Sequence, residues 1–176
     1  MEHAIRKLIR NVPDFPKPGI QFKDITPVLQ DPEALKKVIE WFSLTLDSVG
    51  QVDLIAGIES RGFIIGSALA VHRNLGFIPI RKPGKLPYQK TRITYELEYG
   101  SDALEMHTDA VSTGQRVAII DDLLATGGTA EAACKLIEMA GAEVAALSVL
   151  IELDDLKGRE KIKSSLHKNI FSLIHY

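Results

Sequence analysis

The sequence predicts an α/β fold: an open, mainly parallel central sheet flanked by helices, with a small N-terminal hood and a β-hairpin flexible loop added to it. Three observations predict it. Residues 117–120 and 145–151 are apolar runs without polar alternation, the pattern of strands covered on both faces. Helical patterns closed by glycines, at Gly76 and Gly141, lie between such runs and give a βαβ rhythm. Two strand-to-helix turns, Glu59-Ser60-Arg61-Gly62 and the segment from Asp121 to Thr129, gather glycine, hydroxyl and charged residues. They fall at the carboxyl edge of the sheet, where open α/β folds bind ligands.

Taken from the N-terminus, residues 2–10 place Ile5, Leu8 and Ile9 at helical spacing with Arg6, Lys7 and Arg10 opposite, predicting a short amphipathic helix. Residues 12–27 carry Pro-containing turns, among them Pro16-Lys17-Pro18-Gly19, and are expected to form an ordered loop or cap without strands. Within it, Phe22-Lys23-Asp24-Ile25 puts an aromatic beside polar groups. Phe22 there either stacks on a planar base or plugs the loop to the core. Asp31-Pro32-Glu33 marks a helix start, Asp31 as N-cap, with Leu35, Val38, Ile39, Phe42 and Leu46 along one face. Residues 53–58 read as a short strand, 62–75 as an apolar helix stopped by Gly76, and 77–80 as another strand. Residues 86–93 are polar and aperiodic, a mobile loop; 94–99 and 104–108 alternate as two strands around Gly100-Ser101. A helix from Gly128 to Ala140 and the strand at 145–151 complete the pattern.

At 176 residues the chain fits one domain, large enough to bury its core without disulfides or a structural metal. Its net charge of −2 gives no electrostatic footprint for nucleic acid. No window has the apolar length of a membrane span, and the polar start is unlike a secretory signal, so a cytoplasmic location is expected. The lone Cys134 falls in a helical pattern, as a small buried apolar residue does. None of the five histidines has a partner at metal-ligand or triad spacing, so all are read as surface or packed residues.

The chemistry concentrates after the run at 117–120. Asp121 and Asp122 end that strand, Ala125-Thr126-Gly127-Gly128-Thr129 form a short loop, and a helix begins. The two glycines let successive N–H groups converge, and the hydroxyls of Thr126 and Thr129 stand beside them, a preformed phosphate site. Carboxylates next to a phosphate repel it unless they turn aside to accept hydrogen bonds from sugar hydroxyls or to hold a cation. A ribose 5-phosphate satisfies both halves of the turn. The competing reading is an ordinary βα turn with Thr129 as a helix cap. There is no GxxxxGK[ST] loop for a nucleotide kinase and no GxGxxG for a dinucleotide oxidoreductase.

The stretch at 117–132 resembles the phosphoribosyl pyrophosphate (PRPP) motif of the type I phosphoribosyltransferases, and DDLLATGGT resembles their adenine-specific branch. Further segments carry the likeness over nearly the whole chain: FKDI at 22–25, GIESRGF at 57–63, RKPGKLP at 81–87, LEYG at 97–100, and the closing residues 156–160 and 171–176. The resemblance implies the family's fold and a single domain with a base-binding hood at about residues 1–30 and a flexible catalytic loop and hairpin at 82–100. It implies transfer of a phosphoribosyl group from PRPP to adenine, giving AMP and pyrophosphate.

Its site residues carry over onto matching positions. PRPP would be held by Asp121, Asp122, Ala125, Thr126, Gly127, Gly128 and Thr129, by Glu59, Ser60 and Arg61 at the diphosphate turn, and by Arg81, Lys82 and Lys85. Adenine would be held by Phe22, Lys23, Ile25 and Leu124, with Lys23 standing where the family has Arg. Glu98 would be the acid/base group, with Tyr99 beside it and Arg61 completing the catalytic set. Mg²⁺ would be held mostly by substrate, with Asp121 or Asp122 touching it through water, and the family implies a homodimer. The residues alone leave open that the Glu59–Gly62 turn is a surface turn, that the cation run is a solvated face, and that Glu98 serves only in cross-strand pairing. A transferase for hypoxanthine, xanthine or orotate, or a non-catalytic PRPP sensor, would share the same phosphate loop.

Overall fold

The computed structural model describes residues 1–96, 101–162 and 169–176. Its elements run α1 (Glu2–Leu8), β1 (Arg10–Pro13), β2 (Gln21–Asp24), α2 (Thr26–Gln30), α3 (Pro32–Asp47), β3 (Leu54–Ile58), α4 (Arg61–Arg73), β4 (Gly76–Ile80), β5 (Lys90–Glu96), β6 (Ser101–His107), β7 (Arg116–Leu124), α5 (Gly128–Met139), β8 (Glu143–Glu152), α6 (Gly158–Lys161) and β9 (Ile170–His175). A 3-10 turn over Asp154–Leu156 precedes α6. Five strands form the central sheet in the order β4-β3-β7-β8-β9, every neighbouring pair parallel. This is the predicted fold class.

Alternate side chains of β7 enter two different cores, as the period of a strand requires. Val117 and Ile119 pack with α5 and the β5–β6 hairpin, whereas Ala118 and Ile120 pack with α1, α3 and α4. Coverage of both faces is why these runs lack polar alternation. Cys134 is 2% exposed on the inner side of α5, and burial pushes its thiol up to about 12, as suits packing. Asp31 caps α3 as its sequence position predicts, its side chain accepting from Glu33 N at 3.0 Å and Ala34 N at 2.9 Å.

Four expectations are corrected. The Pro-rich N-terminal segment does contain strands: β1 and β2 pair antiparallel with Val12 opposite Phe22. Its prolines punctuate without forbidding, because Pro13 ends β1 and Pro16 and Pro18 sit in the connecting turn. The helix before β4 stops at Asn74, left-handed at φ 54°, and Gly76 opens the strand instead. The segment at 86–93 is not wholly a loop, since β5 begins at Lys90 and pairs with β6, which buries Leu104 and Met106. Finally, β7 does not end at the acid pair but at Leu124. Pairing with β8 carries it through the acid pair, Asp121 opposite Val149 and Leu123 opposite Ile151.

Candidate active site

Two neighbouring strands position the site. β3 and β7 run parallel, Ile55 opposite Ala118, but β3 leads into α4 on one face of the sheet and β7 into α5 on the other. The two loops diverge and leave a crevice at the carboxyl edge, the topological switch point of an open sheet. The β7 loop makes one wall. Gly127 turns it at φ 83° and α5 starts at Gly128, so the unpaired first-turn amides and the positive end of a 12-residue helix lie at the cleft. The β3 loop makes the other, with a cis peptide between Glu59 and Ser60. The cleft measures about 280 Å³ and is lined by Glu59, Ser60, Arg61, Lys82, Asp121, Asp122, Leu124, Ala125, Thr126, Gly127, Gly128 and Thr129, with Leu123 among them.

The acid pair sits on the floor. Asp122 is 5% exposed, and its Oδ2 lies 3.0 Å from Arg61 Nη2 in an ion pair that leaves that oxygen without an aligned hydrogen bond. Asp121 Oδ1 accepts from Asp122 N at 2.8 Å. Burial, and then the neighbouring Asp122 charge, raise the Asp121 carboxyl well above the usual carboxylate range. Burial raises Asp122 as well, with Arg61 opposing. Such a pair suits hydroxyl donors or a cation.

The cations divide by partner. Arg81 donates to Glu59 through Nε at 3.2 Å and Nη2 at 3.0 Å, and Lys82 N donates to the same carboxylate at 3.0 Å. The Arg81 hydrogen bond, working against burial, holds the Glu59 carboxyl below its usual range. Glu59 therefore organises the cation turn. Lys82 lines the cleft, while Arg81 and Lys85 are not among its lining residues; Arg81 also donates to Lys85 O at 3.1 Å.

A second cleft of about 630 Å³ adjoins the first beneath the hood, lined by residues that include Phe22, Lys23, Leu153, Leu156 and Tyr176. Arg61, Leu123, Ala125 and Thr126 belong to both. Arg61 forms the seam: Nη1 donates to Lys23 O at 3.2 Å, and the guanidinium carbon stands 4.8 Å from the Phe22 ring centre. The Lys23 ammonium is directed elsewhere, donating to Asn11 Oδ1 at 2.8 Å and lying 3.6 Å from the Tyr176 ring centre. Ile25 is fully buried among α1, α2 and α3, outside this cleft. Leu124 reaches the first cleft, whereas its neighbour Leu123 reaches both, because successive strand residues point to opposite faces. Glu98 and Tyr99 lie outside the described residues.

Several residues at these clefts were not among the expected site residues, although Leu156, Gly158 and Tyr176 fall in the closing segments that carry the family likeness. Leu153 and Leu156 follow β8, Tyr176 follows β9, and Gly158, the first residue of α6, backs the loop at 125–127. Tyr95 and Asp102 of the hairpin touch Lys82 and Thr129. Among the described residues, Glu152, Asp154 and His175 bring donor atoms within 4.8 Å of one another. Glu152 is already engaged by Arg159 and Ser172. His175 pairs with Asp154 at 2.9 Å, a partner that linear spacing hides.

A glycine loop at a helix start, a floor of two acids and a cationic far wall have the chemistry that a phosphorylated sugar calls for, and the chain can be compared with known proteins. The profile of the phosphoribosyl transferase domain matches residues 24–174. The chain belongs to the phosphoribosyltransferase family. A relative from Roseiflexus sp. (strain RS-1), named adenine phosphoribosyltransferase, is 54% identical over 100% of both chains. One of the same name from Acidobacterium capsulatum is 53% identical over 98% of this chain and 93% of the relative. The crystal structure of adenine phosphoribosyltransferase from Thermoanaerobacter pseudethanolicus superposes with TM-score 0.95 at 50% identity, covering 100% of each chain. That from Saccharomyces cerevisiae, complexed with an imino-altritol bisphosphate and adenine, superposes with TM-score 0.92 at 39% identity, covering 98% of this chain and 97% of that one. In this phosphoribosyltransferase the phosphate loop follows the third strand of the sheet order, and the hood packs across its end.

Proposed function

We propose that the protein catalyses the adenine phosphoribosyltransferase reaction, adenine and PRPP giving AMP and pyrophosphate, as one catalytic domain serving purine salvage. The observation that carries this reading is the seam at Arg61. It joins a phosphate loop and acid pair on one side to a cleft walled by Phe22, Leu156 and Tyr176 on the other. A phosphate, a sugar ring and a planar base fit along that line in order.

In this reading residues 125–129 hold the 5-phosphate, Asp121 and Asp122 accept from the ribose hydroxyls, and Phe22, Lys23 and Leu123 hold the base. Adenine N9 attacks the anomeric carbon as its bond to the diphosphate oxygen breaks, with inversion, and the base proton passes to Glu98, beside Tyr99. Lys82 and Ser60 receive the departing diphosphate. Glu59, through Arg81 and the Lys82 amide, sets the turn that presents them. Positioning of this kind lowers a barrier by about 7–11 kcal/mol, so no covalent nucleophile is required.

The donor set fits Mg²⁺. Asp122 Oδ2 is buried without an aligned hydrogen bond beside a second carboxylate, and Mg²⁺ takes one or two carboxylates, waters and substrate phosphates. Asp121 or Asp122 would hold it through water, and its chemistry is neutralisation of the diphosphate charge. The protein works as a cytoplasmic homodimer in this reading. The outer face of α4 supports the dimer, with Ile64 47% and Val71 83% exposed, and sedimentation tests it. No helix among the described residues is long and apolar enough to cross a membrane.

Pyrophosphate release from PRPP is to be measured with adenine, guanine, hypoxanthine, xanthine and orotate. Turnover with adenine well above the others is expected. Faster turnover of another base, or PRPP binding without pyrophosphate release from any, overturns the reading.

A further inference from the structure

The two anion sites are joined by a chain of hydrogen bonds through the hairpin. Tyr95 and Asp102 face each other across β5 and β6. Asp102 is fixed by accepting from Ala103 N at 2.8 Å through Oδ1, and its Oδ2 accepts from Lys82 Nζ. Lys82 Nζ also donates to Tyr95 Oη at 3.3 Å. Tyr95 Oη in turn lies 3.1 Å from Thr129 Oγ1 and 3.4 Å from Asp102 Oδ2.

Valence sets the first links of this chain. An ammonium has three N–H donors and no lone pair, so the Tyr95 oxygen is an acceptor toward Lys82. The phenol proton then has two acceptors within reach, Asp102 Oδ2 at 3.4 Å and Thr129 Oγ1 at 3.1 Å; given to Thr129, it leaves the threonine's own proton for the cleft that Thr129 lines. Two of the three ammonium protons are used by Tyr95 and Asp102, leaving the third for the same cleft. Burial works against the charge of Lys82, but the bonds with Asp102 and Tyr95 outweigh it and raise its pKa, so the ammonium remains the donor to both at neutral pH.

We propose that Tyr95 and Asp102 are positioning residues that lock the two anion sites together, Asp102 fixing the Lys82 ammonium and Tyr95 fixing the Thr129 hydroxyl as a donor to phosphate. The inference rests on the functional reading in which Thr129 binds the 5-phosphate and Lys82 the diphosphate. It adds a reason for the hairpin to pack on α5: the hairpin polarises the phosphate loop before substrate arrives.

The test compares wild type, Tyr95→Phe, Thr129→Val and the double variant, reading kcat, KM for PRPP, KM for adenine and Tm, with PRPP binding measured by calorimetry on all four. Phenylalanine keeps the packed ring and removes only the relay. Tyr95→Phe is expected to raise KM and Kd for PRPP about threefold to tenfold, the span of one neutral hydrogen bond, with KM for adenine and Tm unchanged. The double variant is expected to be no worse than Thr129→Val. Unchanged PRPP affinity in Tyr95→Phe, an equal loss for adenine, or fully additive losses in the double variant overturn the proposal. If wild type binds PRPP but releases no pyrophosphate with adenine, the functional reading fails instead, and calorimetry alone decides the role of Tyr95.

Discussion

Replacing Gly158 by alanine perturbs the phosphate loop from a residue outside it. A Cβ on Gly158 would lie 2.1 Å from Ala125 O and 3.0 Å from Gly127 N. The reciprocal change at Gly127, left-handed at φ 83°, would meet Gly158 O at 2.4 Å. These are backbone atoms, so no rotamer change relieves the clash. Restoring ordinary contact at about 3.4 Å requires the loop and the start of α6 to separate by about 1.3 Å. Overpacking of this kind costs roughly 1–3 kcal/mol, a fall in Tm of about 2–4 °C per kcal/mol for a chain of this size. A 1 Å displacement of substrate-positioning groups costs about a hundredfold in rate. Gly158→Ala is therefore expected to lower kcat/KM for PRPP by about two orders of magnitude, far beyond what its modest loss of Tm explains. Steady-state kinetics with adenine saturating, alongside calorimetric melting, measures both. A variant within threefold of wild type in kcat/KM refutes the reasoning that Gly158 sets the loop.

Three further outcomes are expected. The raised Asp121 carboxyl keeps its proton in the folded state at pH values where the unfolded chain has lost it, so ligand-free stability falls as pH rises from the ordinary carboxylate range through the raised value; Asp121→Asn should flatten that fall in Tm between pH 4.5 and 8, and an unchanged slope would count against it. Asp122→Asn removes a charged acceptor worth about 1.5–3 kcal/mol, so kcat/KM for PRPP should drop roughly ten- to hundredfold with the fold retained by circular dichroism. Lys23→Arg should leave KM for adenine within twofold, because the ammonium serves Asn11 and Tyr176 while the backbone carbonyl meets Arg61; a tenfold change would show that the side chain reads the base.

The loop at 125–129 was legible because it is contiguous: strand, acids, glycines and threonines occupy one short segment, and its turn into α5 follows from local geometry. The buried strands at 117–120 and 145–151 and the Asp31 cap were legible for the same reason, each being set by neighbours within a turn or two of chain. The hood strands and the start of β5 were not, because short polar strands exist only by pairing with a partner the linear pattern does not name. The same limit hid Leu123 behind Leu124: both are apolar and adjacent, and which one reaches the cleft beneath the hood depends on the pleat that β8 imposes on β7. Tyr95 and Asp102 had no signal, and Gly158 had only its place in a segment of family likeness, since each meets residues 20 or more positions away.

What the amino-acid order determined by itself was the layered fold, the glycine turn after β7 and the acid pair before it, because hydrophobic period and turn chemistry are local. Only the tertiary structure decided which residues share that loop's cleft. It turned Arg61 toward Asp122 and Lys23 O, occupied Arg81 with Glu59 and left Lys82 facing the site. Those choices depend on the parallel alignment of β3 with β7 and on the hairpin packed over α5. They are contacts between segments far apart in the chain, selected by packing and charge pairing that no single segment specifies.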